Sequence, residues 1–307
     1  MIIDIIDHYV VAGWRSAKIG TRQVRAERLC FVDAWVLEFP TRYSAPRLRG
    51  LLMHRTLIVI PARLGGWRFP NKPIELIHGK SMVEHVYKRA CMVSGVNEVV
   101  IAVCDEEVKV VAEKFGAKVV MTSKDCPTAC ERVGEAAKVL GYVCEKDIVI
   151  NVQGDEPLVP PTVIELTRER LLSDPKYMVA NMVERIRDAK DLKNHHRVKA
   201  IISQKYHLVF LSREQIPSAH FDINRLADYY LLTCITAYRG DFLPQYAKLS
   251  RTPAELVEGN DMMRTIEHEI PIASGVSPYH TFPVDTPEDI EEVRQLIVDD
   301  PWYKLYV

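Results

Sequence analysis

The chain has 307 residues, 48% of them hydrophobic, which is enough apolar material for one large or two modest globular domains. Forty Lys and Arg face forty-one Asp and Glu, a formal charge of −1, so no overall field draws the molecule to nucleic acid or to an anionic membrane surface. No run of eighteen apolar residues occurs, no secretory signal opens the chain, and seven scattered cysteines do not make a disulfide framework, so the sequence predicts a soluble cytoplasmic protein with reduced thiols and neither a nucleic-acid nor a membrane partner.

Residues 1–52 differ from the rest. They carry eight Lys or Arg against five Asp or Glu, whereas the remainder carries thirty-two against thirty-six. They show no sustained period, and Asp4, Asp7, Glu27, Asp33 and Glu38 are too many acids for an organelle transit peptide. Three readings compete: a start placed upstream, a targeting segment, or a packed extension. We favour the first, with Met53 as the natural beginning.

A regular alternation follows. Leu57-Ile58-Val59-Ile60 reads as a buried strand, then come a helix at 81–93, a strand at 98–103, a helix near 105–115, a strand at 118–121, a helix near 130–140 and a strand at 147–152. Strands alternating with helices of this length predict an α/β fold: a mostly parallel sheet with helices on both faces. Beyond Pro160-Pro161 a helix at 161–173 leads to strand-like runs at 178–185, 197–202, 207–212 and 229–238. These predict a smaller antiparallel layer, either completing the edge of the main sheet or forming a lid, before a closing helix at 287–298.

Ligands of open α/β sheets sit beyond the carboxyl ends of the strands, and two loops leave such ends. The loop 61–73, PARLGGWRFPNKP, can converge Arg63, Arg68 and Lys72, while Gly65 and Gly66 let backbone amides approach a phosphate. It is neither a Walker loop nor a dinucleotide fingerprint. The second, Gln153-Gly154-Asp155-Glu156-Pro157, follows a strongly apolar strand and places an acid where Mg²⁺ can be held against phosphate oxygens. A third element, Val284-Asp285-Thr286-Pro287-Glu288-Asp289, reads as a helix start capped by Thr286; this leaves Asp285 outside the cap, as a second carboxylate for the metal.

Together these segments resemble the 3-deoxy-manno-octulosonate (Kdo) cytidylyltransferase family, from about Thr56 to Arg294. IPARLGGWRFPNKPI with GKSMV matches the family opening, NVQGDEPLVPP at 151–161 is nearly identical to the family segment, and VDTPEDI at 284–290 matches VDTPEDL. The resemblance implies a Rossmann-like nucleotidyltransferase sheet over 53–307, with a sugar-binding and dimerisation layer at about 178–270. It also implies a homodimer that uses Mg²⁺ and CTP to convert Kdo, a sugar acid, to CMP-Kdo for lipopolysaccharide synthesis. It further implies that Arg63, Gly65, Gly66, Arg68, Lys72 and Arg132 bind the nucleotide, that Arg63, Lys72 and Asp155 are catalytic, and that Asp155 and Asp285 hold the metal. Gln153, Arg213, Tyr238 and Asp261 would contact the sugar, Arg213 through its carboxylate. Arg63, Lys72, Asp155 and Asp285 are therefore expected on one cleft.

The departures fall on the sugar side. The loop serine is Gly66, SGT(D/E)R becomes TACER at 128–132, HIGIYAYR becomes LTCITAYR at 232–239, and the Glu-Gln pair of LEQLR becomes Asp261-Met262. Leu232 and Met262 disfavour a polyol, so two further expectations stand beside Kdo: another 2-keto-3-deoxy sugar acid such as an amino analogue, and a catalytically silent nucleotide-binding paralogue.

Overall fold

Leu57–Ile60 are fully buried, and a strand sealed on both faces needs helices above and below it. The computed structural model of the protein describes residues 54–65, 69–218 and 229–307, so the 1–52 extension, Gly66 and Arg68 lie outside the described residues. Strand β1 (Arg55–Ala62) is followed by a short hairpin, β2 (Leu76–Ile77) with β3 (Lys80–Ser81), and helix α1 (Met82–Ala90). Then come β4 (Glu98–Val103), α2 (Glu106–Lys114), β5 (Lys118–Met121), α3 (Ala129–Val139), β6 (Asp147–Val152) and α4 (Pro161–Leu172). Strands β5, β4, β1 and β6 are adjacent and parallel. Alternation splits β1 between two cores: Ile58 and Ile60 pack with Val83 and Val86 of α1 and Val163 of α4, while Leu57 and Val59 pack with Val133 and Ala136 of α3.

The second half takes one of its two expected forms, an antiparallel run that completes the main sheet. Strands β7 (Val179–Arg185) and β10 (Tyr230–Arg239) enter the main sheet, β10 running antiparallel between β6 and β7. After β7 come the short helix α5 (Ala189–Lys193) and the hairpin β8 (Lys199–Ile202) with β9 (Leu208–Ser212), which branches off the start of β10. Beyond β10 the chain forms three short helices, α6 (Phe242–Tyr246), α7 (Pro253–Glu258) and α8 (Met262–Glu267). It then adds an edge strand, β11 (Ile272–Ser277), parallel to β7, and closes on α9 (Pro287–Leu296). The sheet therefore reads β11-β7-β10-β6-β1-β4-β5.

One irregularity shapes the site. The pairing of β10 with β7 slips between Leu232 and Thr236, a bulge that disrupts the ladder. The Asn181 side-chain amide donates to the carbonyls of Thr233 (3.0 Å) and Ile235 (2.6 Å), and Thr233 Oγ1 donates to Met182 O at 2.8 Å. On its other edge β10 pairs with β6 along 235–239 and with β8 at 230–231. Between those two partners, Leu232, Thr233 and Cys234 face an open cleft.

Candidate active site

The cleft has two lobes, of about 240 Å³ and about 440 Å³, which share Thr128, Ala129, Gln153 and Asp155. Arg63, at the end of β1, is exposed and lines the smaller lobe. Lys72 lines it too, presented just after Asn71, which adopts a left-handed φ of 61° that asparagine tolerates better than most residues. Gly154 is required here, since a Cβ would sit 2.8 Å from Pro61 O where the β6 loop crosses the β1 loop. At Gly65 a Cβ would meet nothing within 4 Å, which leaves this part of the loop open.

Lys72 ties the three sequence segments together. Its Nζ donates to Asp155 Oδ2 and to Val284 O, each at 2.7 Å, and Val284 N donates to Asp155 O at 2.9 Å. Asp285, next along, lines the larger lobe, and its amide donates to Asp289 Oδ2. The expected convergence of Arg63, Lys72, Asp155 and Asp285 on one cleft is therefore present. Burial, and then the neighbouring Asp155, push the Glu156 carboxyl up to about 8. Its neutral form is thereby favoured beside Asp155.

No group of three or more His, Cys, Asp or Glu side chains is arranged for a metal among the described residues. Asp155, shared by both lobes, and Asp285, in the larger one, are nevertheless a donor pair suited to Mg²⁺, which takes hard oxygens and uses one or two carboxylates beside substrate phosphates. Arg132 adds an anion-seeking group. Its Nη1 donates to Thr122 Oγ1 and Ser123 O, while its buried Nη2 has no hydrogen-bond partner. The N-terminus of α3 opens onto both lobes, closed by a capping box in which Thr128 Oγ1 accepts from Glu131 N and Glu131 accepts from Thr128 N.

The larger lobe is lined by groups that already have partners. Asp261 Oδ2 accepts from Cys130 N at 3.1 Å, and burial raises its carboxyl above the usual range. Arg213 Nε donates to Glu258 O, and its Nη1 to His195 O and His196 O. Behind this wall Arg264 is sealed between Glu255, at 2.6 and 2.8 Å, and Glu131 at 3.0 Å. Leu232 and Met262 line the lobe as expected.

Tyr238 requires a correction. It is 3% exposed, stacked on Phe242 in the core beneath α3, and does not line either lobe. Thr236, two residues nearer the cleft on the same strand, takes the lining position. Asn151 and Arg197 are among the lining residues that were missed. Asn151 is 3% exposed with its Oδ1 unpartnered, and an amide inside an otherwise apolar strand was a legible signal. Arg197 sits in a polar turn and gave none.

The family model for cytidylyltransferases matches residues 57–296. An 8-amino-3,8-dideoxy-manno-octulosonate cytidylyltransferase of Shewanella sp. (strain W3-18-1) is 36% identical over 242 residues, 78% of this chain and 97% of that protein. A 3-deoxy-manno-octulosonate cytidylyltransferase of Francisella philomiragia is 37% identical over 244 residues, with the same two coverages of 78% and 97%. Among solved structures, CMP:2-keto-3-deoxy-manno-octonic acid synthetase complexed with CTP superposes with a TM-score of 0.72 at 35% identity, over 80% of this chain and 98% of that one. The matched span contains every loop that lines the cleft, and the chain belongs to the cytidylyltransferase family of nucleotidyltransferases.

Proposed function

We propose that the protein transfers CMP from CTP to 3-deoxy-D-manno-octulosonate, releasing pyrophosphate. The observation that carries this reading is the Lys72 knot, which joins the three matched segments at the boundary between a cationic lobe and a larger one. CTP phosphates lie in the smaller lobe, against Arg63, Lys72, Arg132 and the backbone at Gly65. Arg68 and Gly66 belong to the same loop. The sugar acid occupies the larger lobe beside Gln153 and Asp261, with Arg213 bracing its rim.

The anomeric hydroxyl of the sugar attacks the α-phosphorus; a P–O bond forms as the bond to the β-phosphate breaks, and the hydroxyl proton is lost. Both reactants are anions, so the cationic lobe lowers their repulsion and stabilises charge on the five-coordinate phosphorus, while the cleft supplies alignment. Mg²⁺, held by Asp155 and Asp285, would polarise phosphate oxygens and assist departure of pyrophosphate. Lys72, which lines the smaller lobe beside Asp155, contacts the phosphates.

We further propose that the product serves lipopolysaccharide synthesis and that the working form is a cytoplasmic homodimer. No helix among the described residues is long and apolar enough to cross a membrane. Pyrophosphate release from CTP and Mg²⁺ with a panel of 2-keto-3-deoxy sugar acids tests the reaction. Release with Kdo is expected; release only with the 8-amino analogue would move the assignment to that acceptor, and no release despite CTP binding would leave a silent nucleotide-binding protein.

A further inference from the structure

Three arginines line the larger lobe, and they differ in what their guanidinium groups already do. Arg251 Nε donates to Glu255 Oε1 at 3.0 Å, with the side chain 46% exposed at the rim. Arg213 spends Nε and Nη1 on three main-chain carbonyls, and its own amide donates to Glu258 Oε2. This holds the 195–213 turn in shape. Arg197 is held by one nitrogen only: Nη2 donates to Glu184 Oε1 at 2.8 Å and to Thr281 O at 3.4 Å. Its Nη1 and Nε make no hydrogen bond among the described residues, and the side chain keeps 15% of its surface open where it lines the lobe.

The anchor is rigid. Glu184, near the end of β7, is 1% exposed and also accepts from Thr281 N at 2.8 Å and Thr281 Oγ1 at 3.3 Å, with His280 Nδ1 at 3.2 Å. Those bonds fix the segment that runs on to Asp285. The backbone beside Arg197 is fixed as well, because Leu232 N donates to Val198 O at 2.8 Å. A guanidinium held at one corner by a buried carboxylate, on a side chain that lines a cavity, is preorganised for an anion.

We infer that Arg197, oriented by Glu184, binds the carboxylate of the acceptor, the role that family likeness gives to Arg213. Arg197 is then the specificity residue for an acidic acceptor, Glu184 is its positioning residue, and Arg213 is a brace. The inference rests on the acceptor being a sugar acid.

The test uses the full chain, with Kdo and its carboxamide as probes. Binding is followed by saturation-transfer NMR in the presence of CTP, and turnover by pyrophosphate release. Loss of a charge-assisted hydrogen bond of roughly 1.5–3 kcal/mol corresponds to a 10- to 100-fold change. Arg197→Gln is therefore expected to weaken Kdo binding and raise its KM by about tenfold or more, with the KM for CTP within about twofold and no effect on the carboxamide. Arg197→Lys restores part of the loss, and Glu184→Gln gives a smaller rise with the same selectivity for the acid over the amide. Thermal melts identify any variant that fails to fold, and the Lys variant then carries the comparison.

An unchanged KM for Kdo in Arg197→Gln, an equal rise for CTP and Kdo, or absence of sugar-acid binding by the wild type overturns the inference. If Kdo binds in an Arg197-dependent way but no pyrophosphate appears, the transfer reading falls and the assignment of Arg197 stands. If turnover is normal and insensitive to Arg197, the reverse holds.

Discussion

The two lobes of the cleft solve the same problem, holding an anion, in different ways. The smaller lobe displays its charges on loops at the ends of parallel strands: Arg63 is exposed, and the Lys72 and Asp155 side chains keep 19% and 27% of their surface. The larger lobe is built on paired and sealed groups, with Arg264 and Glu255 both 1% exposed behind it. Displayed charges can exchange partners when a ligand arrives, and they contribute little to stability. Sealed charges fix a shape, and removing one of a pair costs several kcal/mol of stability. Chemistry is therefore expected to be separable from stability in the first lobe and coupled to it at the sealed groups of the second.

The largest expected effect breaks the first half of that comparison if it fails. Asp155→Asn removes the carboxylate that we propose holds the metal, together with a partly exposed ion pair, so turnover is expected to fall by about 10³-fold or more, some 4 kcal/mol of transition-state stabilisation, while Tm moves by no more than a few degrees. Steady-state pyrophosphate release and a thermal melt of the same sample check both parts. Activity retained at saturating Mg²⁺ would remove Asp155 from the metal site.

The second half is tested at Arg264. Arg264→Met leaves Glu255 buried without its two-pronged partner and frees Glu131 from its tie to the 262–267 helix. A loss of about 3–5 kcal/mol is expected, read as a lower urea midpoint. A midpoint within error of wild type would show that the larger lobe is as loosely held as the smaller one.

The same contrast explains what was legible in the sequence. Strands at 98–103, 118–121 and 147–152 were readable to the residue, because each is an apolar run of β-branched residues ended by a turn. The residues of the smaller lobe were readable because charged groups and glycines on short loops have few structural reasons to be there. On the other side, β11 (Ile-Ala-Ser-Gly-Val-Ser) escaped notice: its small residues show no alternation, and only pairing with β7 makes it a strand. Helices α6, α7 and α8 have five or six residues each, too few to give a period, and tertiary contacts hold them. Tyr238 was misplaced because family likeness locates a residue within a motif and not by its depth along the strand. Arg197 was invisible because its partner Glu184 is thirteen residues away on another strand.

A stability change that touches neither lobe sets the baseline for these effects. His85 on α1 is buried, with Nε2 bonded to Ile77 O at 2.8 Å and Nδ1 to the Tyr306 hydroxyl at 2.9 Å. Burial lowers its pKa to about 4 from 6.5, so the folded protein keeps it neutral while the unfolded chain takes up a proton. Between pH 6.5 and about 4 the unfolded state binds more protons, and stability falls as pH falls, by up to about 3 kcal/mol from this group. Urea unfolding at pH 7 and pH 5 is expected to show this slope in the wild type and a flatter one in His85→Gln. Equal slopes would assign the acid sensitivity to other groups.

The smallest effect probes a helix start that both lobes share. Helix α3 begins at Thr128, whose hydroxyl accepts from Glu131 N, and Glu131 is the residue that Arg264 reaches from behind the larger lobe. Thr128→Ala deletes the cap and costs about 1 kcal/mol of stability. Because Thr128 and Ala129 line both lobes, loosening this end is expected to raise the KM values for CTP and for the sugar acid together, each by a few-fold. A rise confined to CTP would mean that the α3 terminus serves the smaller lobe alone. In that case the Arg264–Glu131 contact braces the larger lobe without coupling it to the nucleotide.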